Sequence, residues 1–246
     1  MLRLGVRNFI ASAACALAAA ATMSASADGP TVTLGVNVNG NSVANQGLNG
    51  SGTNLSDVFN YQGNLLAEDG GWLLSWNFNA SNQSNGGLQA FTAGNYVIQN
   101  LSAEAITFEL TVSLPTALLG STVYGGSVSG GLTTTGPGGI SSNGQFPVWS
   151  GSTGGLGVAS LFNSPFSVLR TEAGSSSLGF ESFGNPIPSL AGPDLGADLS
   201  IKLSFVLEAN SSASFTSVFV ARVPAPGAVA LMGLAGLAGL GRRRRA

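Results

Sequence analysis

Between residues 106 and 114 apolar and polar side chains alternate without a break: Ile106, Phe108, Leu110, Val112 and Leu114 against Thr107, Glu109, Thr111 and Ser113. A period of two puts all five apolar side chains on one face of an extended strand, which the 3.6-residue period of a helix cannot do. The pattern recurs. Residues 199–209 set Ile201, Leu203, Phe205 and Leu207 against Ser200, Lys202, Ser204 and Glu208, residues 31–38 set Val32, Leu34, Val36 and Val38 against Thr31, Thr33, Gly35 and Asn37, and Trp72, Leu74, Trp76 and Phe78 form a further set. Asn210-Ser211-Ser212 is a turn signal between 199–209 and 214–221, so these two strands are expected to pair as a hairpin. Gly- and Ser-rich segments at 39–53, 81–87, 136–143 and 151–157 read as turns and loops. Many half-buried strands, frequent turns and no helical repeat in between predict an all-β fold. The form expected is an antiparallel β-sandwich of jelly-roll or immunoglobulin-like type. A β-solenoid is disfavoured because no fixed period of 20 to 50 residues is present.

The two ends have a different character. Arg3 and Arg7 precede an apolar run at 9–21, and Ala25-Ser26-Ala27 follows as an A-x-A cleavage site. Together these parts read as a secretory signal peptide, with the mature chain beginning at Asp28. At the other end Val223-Pro224-Ala225-Pro226-Gly227 leads into an apolar segment at 228–240 and then Arg242, Arg243, Arg244 and Arg245. Four arginines resist crossing a bilayer and hold that end in the cytoplasm. The 13 apolar residues make about 20 Å of helix, short of a hydrocarbon core of about 30 Å. Such a segment suits a transient anchor. The chain therefore divides into a signal peptide (1–27), a β-sandwich ectodomain (28–222) and a tail (223–246), with helical segments in the signal and the anchor.

In its order of parts this tail resembles the PEP-CTERM sorting signal of bacterial envelope proteins, in a variant where Pro-Ala-Pro-Gly precedes the apolar run. The usual signal has Glu between the two prolines, where this chain has Ala225. The resemblance implies export across the inner membrane, removal of the signal by signal peptidase, and a brief hold in the membrane. It also implies cutting near Pro224 to Gly227 by an exosortase-type protease, and residence in the cell envelope or outside the cell, often beside exopolysaccharide. It covers 24 of 246 residues and implies no activity for the ectodomain.

Charge and composition narrow what the ectodomain can do. All eleven acids lie between Asp28 and Glu208, against three bases (Arg170, Lys202, Arg222), so residues 28–222 carry a net charge of −8. That sign repels phosphate backbones and argues against nucleic-acid binding. Histidine is absent, which excludes imidazole-based triads and metal sites. The single cysteine, Cys15, falls in the signal peptide, so the exported domain has neither disulfides nor a thiol nucleophile. Glu68-Asp69, Glu104/Glu109 and Glu172/Glu181 are the acids that a glycosidase would need, but solvated surface carboxylates explain them as well, and the domain is read as non-enzymatic. No cofactor is expected. Asp194, Asp198 and the loop between them offer oxygen ligands of the kind calcium takes, without an EF-hand or a nonapeptide repeat. Trp149, in a Pro- and Gly-bounded loop, is the candidate glycan contact, whereas Trp72 and Trp76 share a face with Leu74 and Phe78 and read as core. Six Asn-x-Ser sequons (Asn49, Asn54, Asn79, Asn82, Asn100, Asn210) follow from composition. Two readings stand: a non-enzymatic envelope or matrix protein, and a carbohydrate-binding or adhesive module that uses the same export route and binds surface polysaccharide.

Overall fold

The alternation at 106–114 becomes a strand whose odd and even positions are sorted as expected: Ile106, Phe108, Leu110, Val112 and Leu114 are buried and the residues between them are not. The computed structural model describes residues 26–53, 57–83, 88–116 and 120–224. The expected helical signal and anchor segments, with Ala25, Ala225, Pro226, Gly227 and Arg242 to Arg245, lie outside the described residues. The described residues contain no helix.

In chain order the strands are β1 (Ser26–Asp28), β2 (Val32–Val38), β3 (Asn41–Leu48), β4 (Ser51–Thr53), β5 (Phe59–Leu66), β6 (Trp72–Gln83), β7 (Gln89–Asn100), β8 (Ile106–Pro115), β9 (Val123–Thr134), β10 (Gly138–Ser142), β11 (Trp149–Thr153), β12 (Leu156–Leu161), β13 (Ser167–Arg170), β14 (Gly174–Phe183), β15 (Leu190–Ala191), β16 (Asp198–Leu207) and β17 (Ser211–Arg222). They form two antiparallel sheets. A nine-stranded sheet runs β1-β4-β5-β6-β7-β17-β9-β14, with β15 also on β9; an eight-stranded sheet runs β12-β11-β16-β8-β2-β3, with β10 on β16 and β13 on β10. The sheets stack over one apolar core, to which Trp72, Phe78, Phe215 and Phe219 of the first contribute, and Leu34, Phe108, Trp149 and Phe205 of the second.

Three rules of the sequence reading fail here, each for a physical reason. The expected hairpin of 199–209 with 214–221 does not form: β16 pairs with β8, β10 and β11, and β17 with β7 and β9, in opposite sheets. Asn210, at φ 59, reverses the chain in the left-handed region, and Thr135 N–H bonds its carbonyl at 3.0 Å. The reversal carries the chain across the core, so β16 and β17 meet face to face, with Phe205 and Phe215 ring centroids 5.2 Å apart. Residues 39–53, expected as loop, hold β3 and β4; the only turn is the Asn39-Gly40 reversal, and a polar edge strand shows no apolar periodicity. The segment 136–143 contains β10, whose Ile140 is buried. By contrast 151–157 does turn where glycines stand, at Gly154-Gly155, both at positive φ.

All three tyrosines of the chain are held by this core. Tyr61 donates its hydroxyl to the Pro30 carbonyl at 2.5 Å and Tyr124 to that of Pro193 at 2.9 Å, while the Tyr96 hydroxyl has no partner among the described residues. Burial pushes the Tyr61 phenol up to about 12 and raises Tyr96 and Tyr124 as well. The unfolded chain ionises its tyrosines near pH 10, so the stability tied to these groups is complete below about pH 10 and falls as the pH rises toward the folded values. An alkaline titration followed by phenolate absorbance should therefore show no signal near pH 10 and then a single rise coincident with loss of structure. Stepwise ionisation of the folded protein at ordinary tyrosine values would contradict the burial.

Candidate functional site

Trp149 opens strand β11 rather than a projecting loop, and it is fully buried. Its ring meets Phe219 edge-on at 5.8 Å and Phe183 at 5.9 Å, and its Nε1–H donates to Ser217 Oγ at 2.7 Å. Most buried indoles find such a partner, although Trp76 Nε1 has none among the described residues. The inward set of β11 is Trp149, Gly151 and Thr153, and a Cβ on Gly151 would lie 2.8 Å from the Trp149 ring and 2.9 Å from Phe219. The glycine is the space that the two rings fill. Trp149 is thus corrected from candidate glycan contact to structural core, because the Pro- and Gly-bounded segment is pinned at its far end by β16. The exposed aromatic of that segment is Phe146, 60% exposed, with its ring centroid 5.8 Å from Lys202 Nζ. Trp72 and Trp76 are buried, as their pattern predicts.

The candidate acids are dispersed. Asp198 accepts hydrogen bonds at Oδ2 from Ser113 Oγ (2.6 Å) and Ser200 Oγ (2.5 Å), and at Oδ1 from Gly154 N–H (2.8 Å). Burial alone would raise its pKa; the hydrogen bonds from Ser113, Ser200 and Gly154 outweigh that, and the carboxyl ends below its ordinary value. Its oxygens serve as a latch between the Gly154-Gly155 turn and strands β8 and β16. Asp194 is exposed, and no cluster of three or more acids that could hold a metal ion forms among the described residues. Glu109 pairs with Lys202 at 3.2 Å, and Glu181 accepts the Phe162 N–H at 2.7 Å. Among the sequons, Asn100 is buried and bonds the carbonyls of Glu104 and Leu207 at 2.7 and 2.9 Å, which makes it a structural clamp.

Glu68 and Asp69 border a cavity. They stand in the turn between β5 and β6, closed by Gly70 N–H to the Ala67 carbonyl at 2.9 Å and by Gly71 N–H to Asp69 Oδ1 at 2.8 Å. Leu65, Leu66, Ala67 and Trp72 of this hairpin face Val43 of β3 across a cleft of about 540 Å³. One wall belongs to each sheet. Leu66 is 59% exposed and Val43 47% exposed, so the walls are open and apolar, with two carboxylates at the lip. An apolar wall beside hydrogen-bond acceptors is a chemistry that suits an amphipathic, hydroxylated ligand. The sequence reading left Glu68-Asp69 as surface acids and missed the cleft, because Val43 lies on the strand that the Gly/Asn/Ser composition concealed.

No family model matches the chain, and no curated protein does. Among solved structures, the chain is similar to TmCBM61 in complex with β-1,4-galactotriose, at a TM-score of 0.26 and 14% identity, over 62% of this chain and 88% of that one. A likeness of that size carries no inference about ligand or activity.

Three substitutions test these assignments. Ser217→Ala leaves the Trp149 N–H buried without a partner and should cost about 1–3 kcal/mol, whereas Phe146→Ala at the surface should change stability by less than about 0.5 kcal/mol; urea unfolding followed by tryptophan fluorescence compares them. Equal effects would remove the distinction between the two aromatics. For Asp198, whose folded pKa is lowered, the stabilisation is complete above the unfolded value of about 4 and is lost as the pH falls through the folded value. Asp198→Asn should lower stability at neutral pH by about 1 kcal/mol and flatten the decline below pH 4, read from denaturant midpoints across a pH series. An unchanged acid limb would take Asp198 out of the latch.

Proposed function

We propose that this is an exported, non-enzymatic protein of the bacterial cell envelope or extracellular matrix. Signal peptidase releases it near Ala27, the C-terminal segment holds it briefly in the membrane, and an exosortase-type protease cuts it in the Pro-Ala-Pro-Gly stretch. The observation that carries this reading is where the last described strand ends. Strand β17 is hydrogen-bonded on both sides through Arg222, opposite Gln89 and Val123. Val223 N–H makes one more bond to the Leu88 carbonyl at 2.9 Å, and Pro224 is exposed. A cut after Pro224 therefore breaks no strand pairing among the described residues, and Pro224 itself cannot extend the ladder because it has no N–H. At the other end, among the described residues, β1 pairs only with β4, so removal of residues up to Ala27 leaves the pairings of β2 to β17 intact.

The strand orders β7-β17-β9-β14 and β8-β16-β11-β12 support the jelly-roll form of the expected sandwich, since the chain alternates between the sheets as two Greek keys require. The second reading, a carbohydrate-binding or adhesive module on the same route, is favoured by the apolar cleft with Glu68 and Asp69 at its lip. Glycan binding and processing are independent and can hold together.

Mass spectrometry of the mature protein, from its host with and without the sorting protease, tests processing. A new C-terminus between Val223 and Gly227 in the wild-type host, absent without the protease, is the expected result. A wild-type product that still ends in Arg242 to Arg245 overturns it.

A further inference from the structure

The outer face of the nine-stranded sheet carries no charge along its central rows. Cross-strand register places Gln62, Asn77, Asn95, Thr216, Ser129 and Phe180 side by side on β5, β6, β7, β17, β9 and β14. Flanking rows run Asn60, Asn79, Ala93, Val218, Ser127, Ser182 and Asn64, Ser75, Val97, Ser214, Gly131, Ser177. The central row is open to solvent: Gln62, Asn77, Asn95 and Thr216 are exposed, and Phe180 is 66% exposed. At about 4.8 Å between neighbouring strands, six strands make a track of about 24 Å. Side chains within it already orient one another. Thr216 Oγ1 donates to Asn95 Oδ1 at 2.7 Å, and Asn60 Nδ2 to Asn77 Oδ1 at 2.9 Å and to Asn79 Oδ1 at 3.1 Å.

Charge selects the occupant. With a net −8 on residues 28–222 and none of it in the row from Gln62 to Phe180, Arg222 and Asp28 lying at the margins of the face, two copies repel through the body of the domain without a compensating pair along that row. An acidic polymer is repelled in the same way, and a cationic one finds no carboxylate here. Amides and hydroxyls that both donate and accept, in a row that ends on an open aromatic ring, match a neutral chain of repeated hydroxyls with apolar sugar faces. We infer that this face binds an uncharged polysaccharide laid across the strands, with Asn77, Asn95 and Thr216 bonding hydroxyls and Phe180 stacking at one end. The inference rests on the carbohydrate-binding reading and adds the sheet face to the cleft as a surface for the polymer.

The test uses protein purified from its host, with cellulose, mannan and galactan as neutral probes and polygalacturonate as the charged one. Wild-type protein should be retained on at least one neutral polymer, with retention unchanged in 1 M salt because no ion pair is involved. Retention should fall at least tenfold in the triple variant Asn77→Ala/Asn95→Ala/Thr216→Ala and severalfold in Phe180→Ala. All four side chains are exposed, so an unchanged thermal midpoint identifies the loss as one of binding. Wild-type protein that binds no neutral polymer sinks both the face and the carbohydrate reading. Binding that survives the triple variant but is lost in Leu66→Ala or Asp69→Ala moves the site to the cleft and overturns the face alone. Preference for polygalacturonate, or a wild-type dimer that the triple variant dissociates in sedimentation, replaces the neutral glycan by another occupant.

Discussion

The two sheets are held together by aromatic rings that meet across the core. Trp72 lies edge-on to Phe108 at 6.0 Å, Phe205 tilts against Phe215 at 5.2 Å, and Trp149 stands edge-on to Phe219 at 5.8 Å, each pair joining one sheet to the other. Geometry of this kind contributes about 0.5–1.5 kcal/mol per pair beyond the area buried. Ion pairing adds little to the alignment of the sheets. Lys202–Glu109 is an ion pair between partly exposed groups on the outside of one sheet, and such pairs contribute at most about 1 kcal/mol. Buried hydrogen bonds also link the sheets, from Asn100 Nδ2 to the Leu207 carbonyl at 2.9 Å, from Gly139 N–H to Ser211 Oγ at 3.0 Å and from Trp149 to Ser217, the last fixing the indole so that its ring fills the space left at Gly151. Register between the layers follows from which large ring enters which gap.

That dependence explains what could be read from the residues and what could not. Alternation tells which side chains share a face, and β2, β6, β8 and β16 show the faces that their sequences require. It does not tell which strand lies alongside. A turn signal at 210–212 implies a reversal, but the same reversal serves a hairpin within one sheet or a crossing between two, and here the apolar faces of β16 and β17 are satisfied by facing each other. Trp149 misled for a related reason. Its strand buries Gly151 and Thr153 as companions, neither of which registers as apolar, so the period of two is invisible in the letters although it is present in the burial. The concave cleft needed Val43 of β3 opposite the β5–β6 hairpin, a juxtaposition that no local pattern encodes.

A domain with so few charges also has to stay in solution without joining its edges to those of other copies. Lysines on edge strands are a common protection, yet the chain has one lysine, Lys202, and it sits on the interior strand β16. The ladders give the alternative. Pairings in the middle of the sheets, β5 through β9 by way of β17 and β2 through β11 by way of β8 and β16, run in unbroken register. Every shift of register falls on an outermost pair: β2 with β3 at Val36/Asn37, β11 with β12 at Gly151/Ser152, and β9 with β14 at Ser177/Gly179. A bulge bends its strand and breaks the flat row of donors and acceptors that a neighbour would need. The remaining edges, β1, β13 and β15, are three, four and two residues long, too short to template another strand. Interior regularity and edge irregularity are thus one arrangement: the polar faces can be broad and regular because the margins that would let them propagate are bent or cut short.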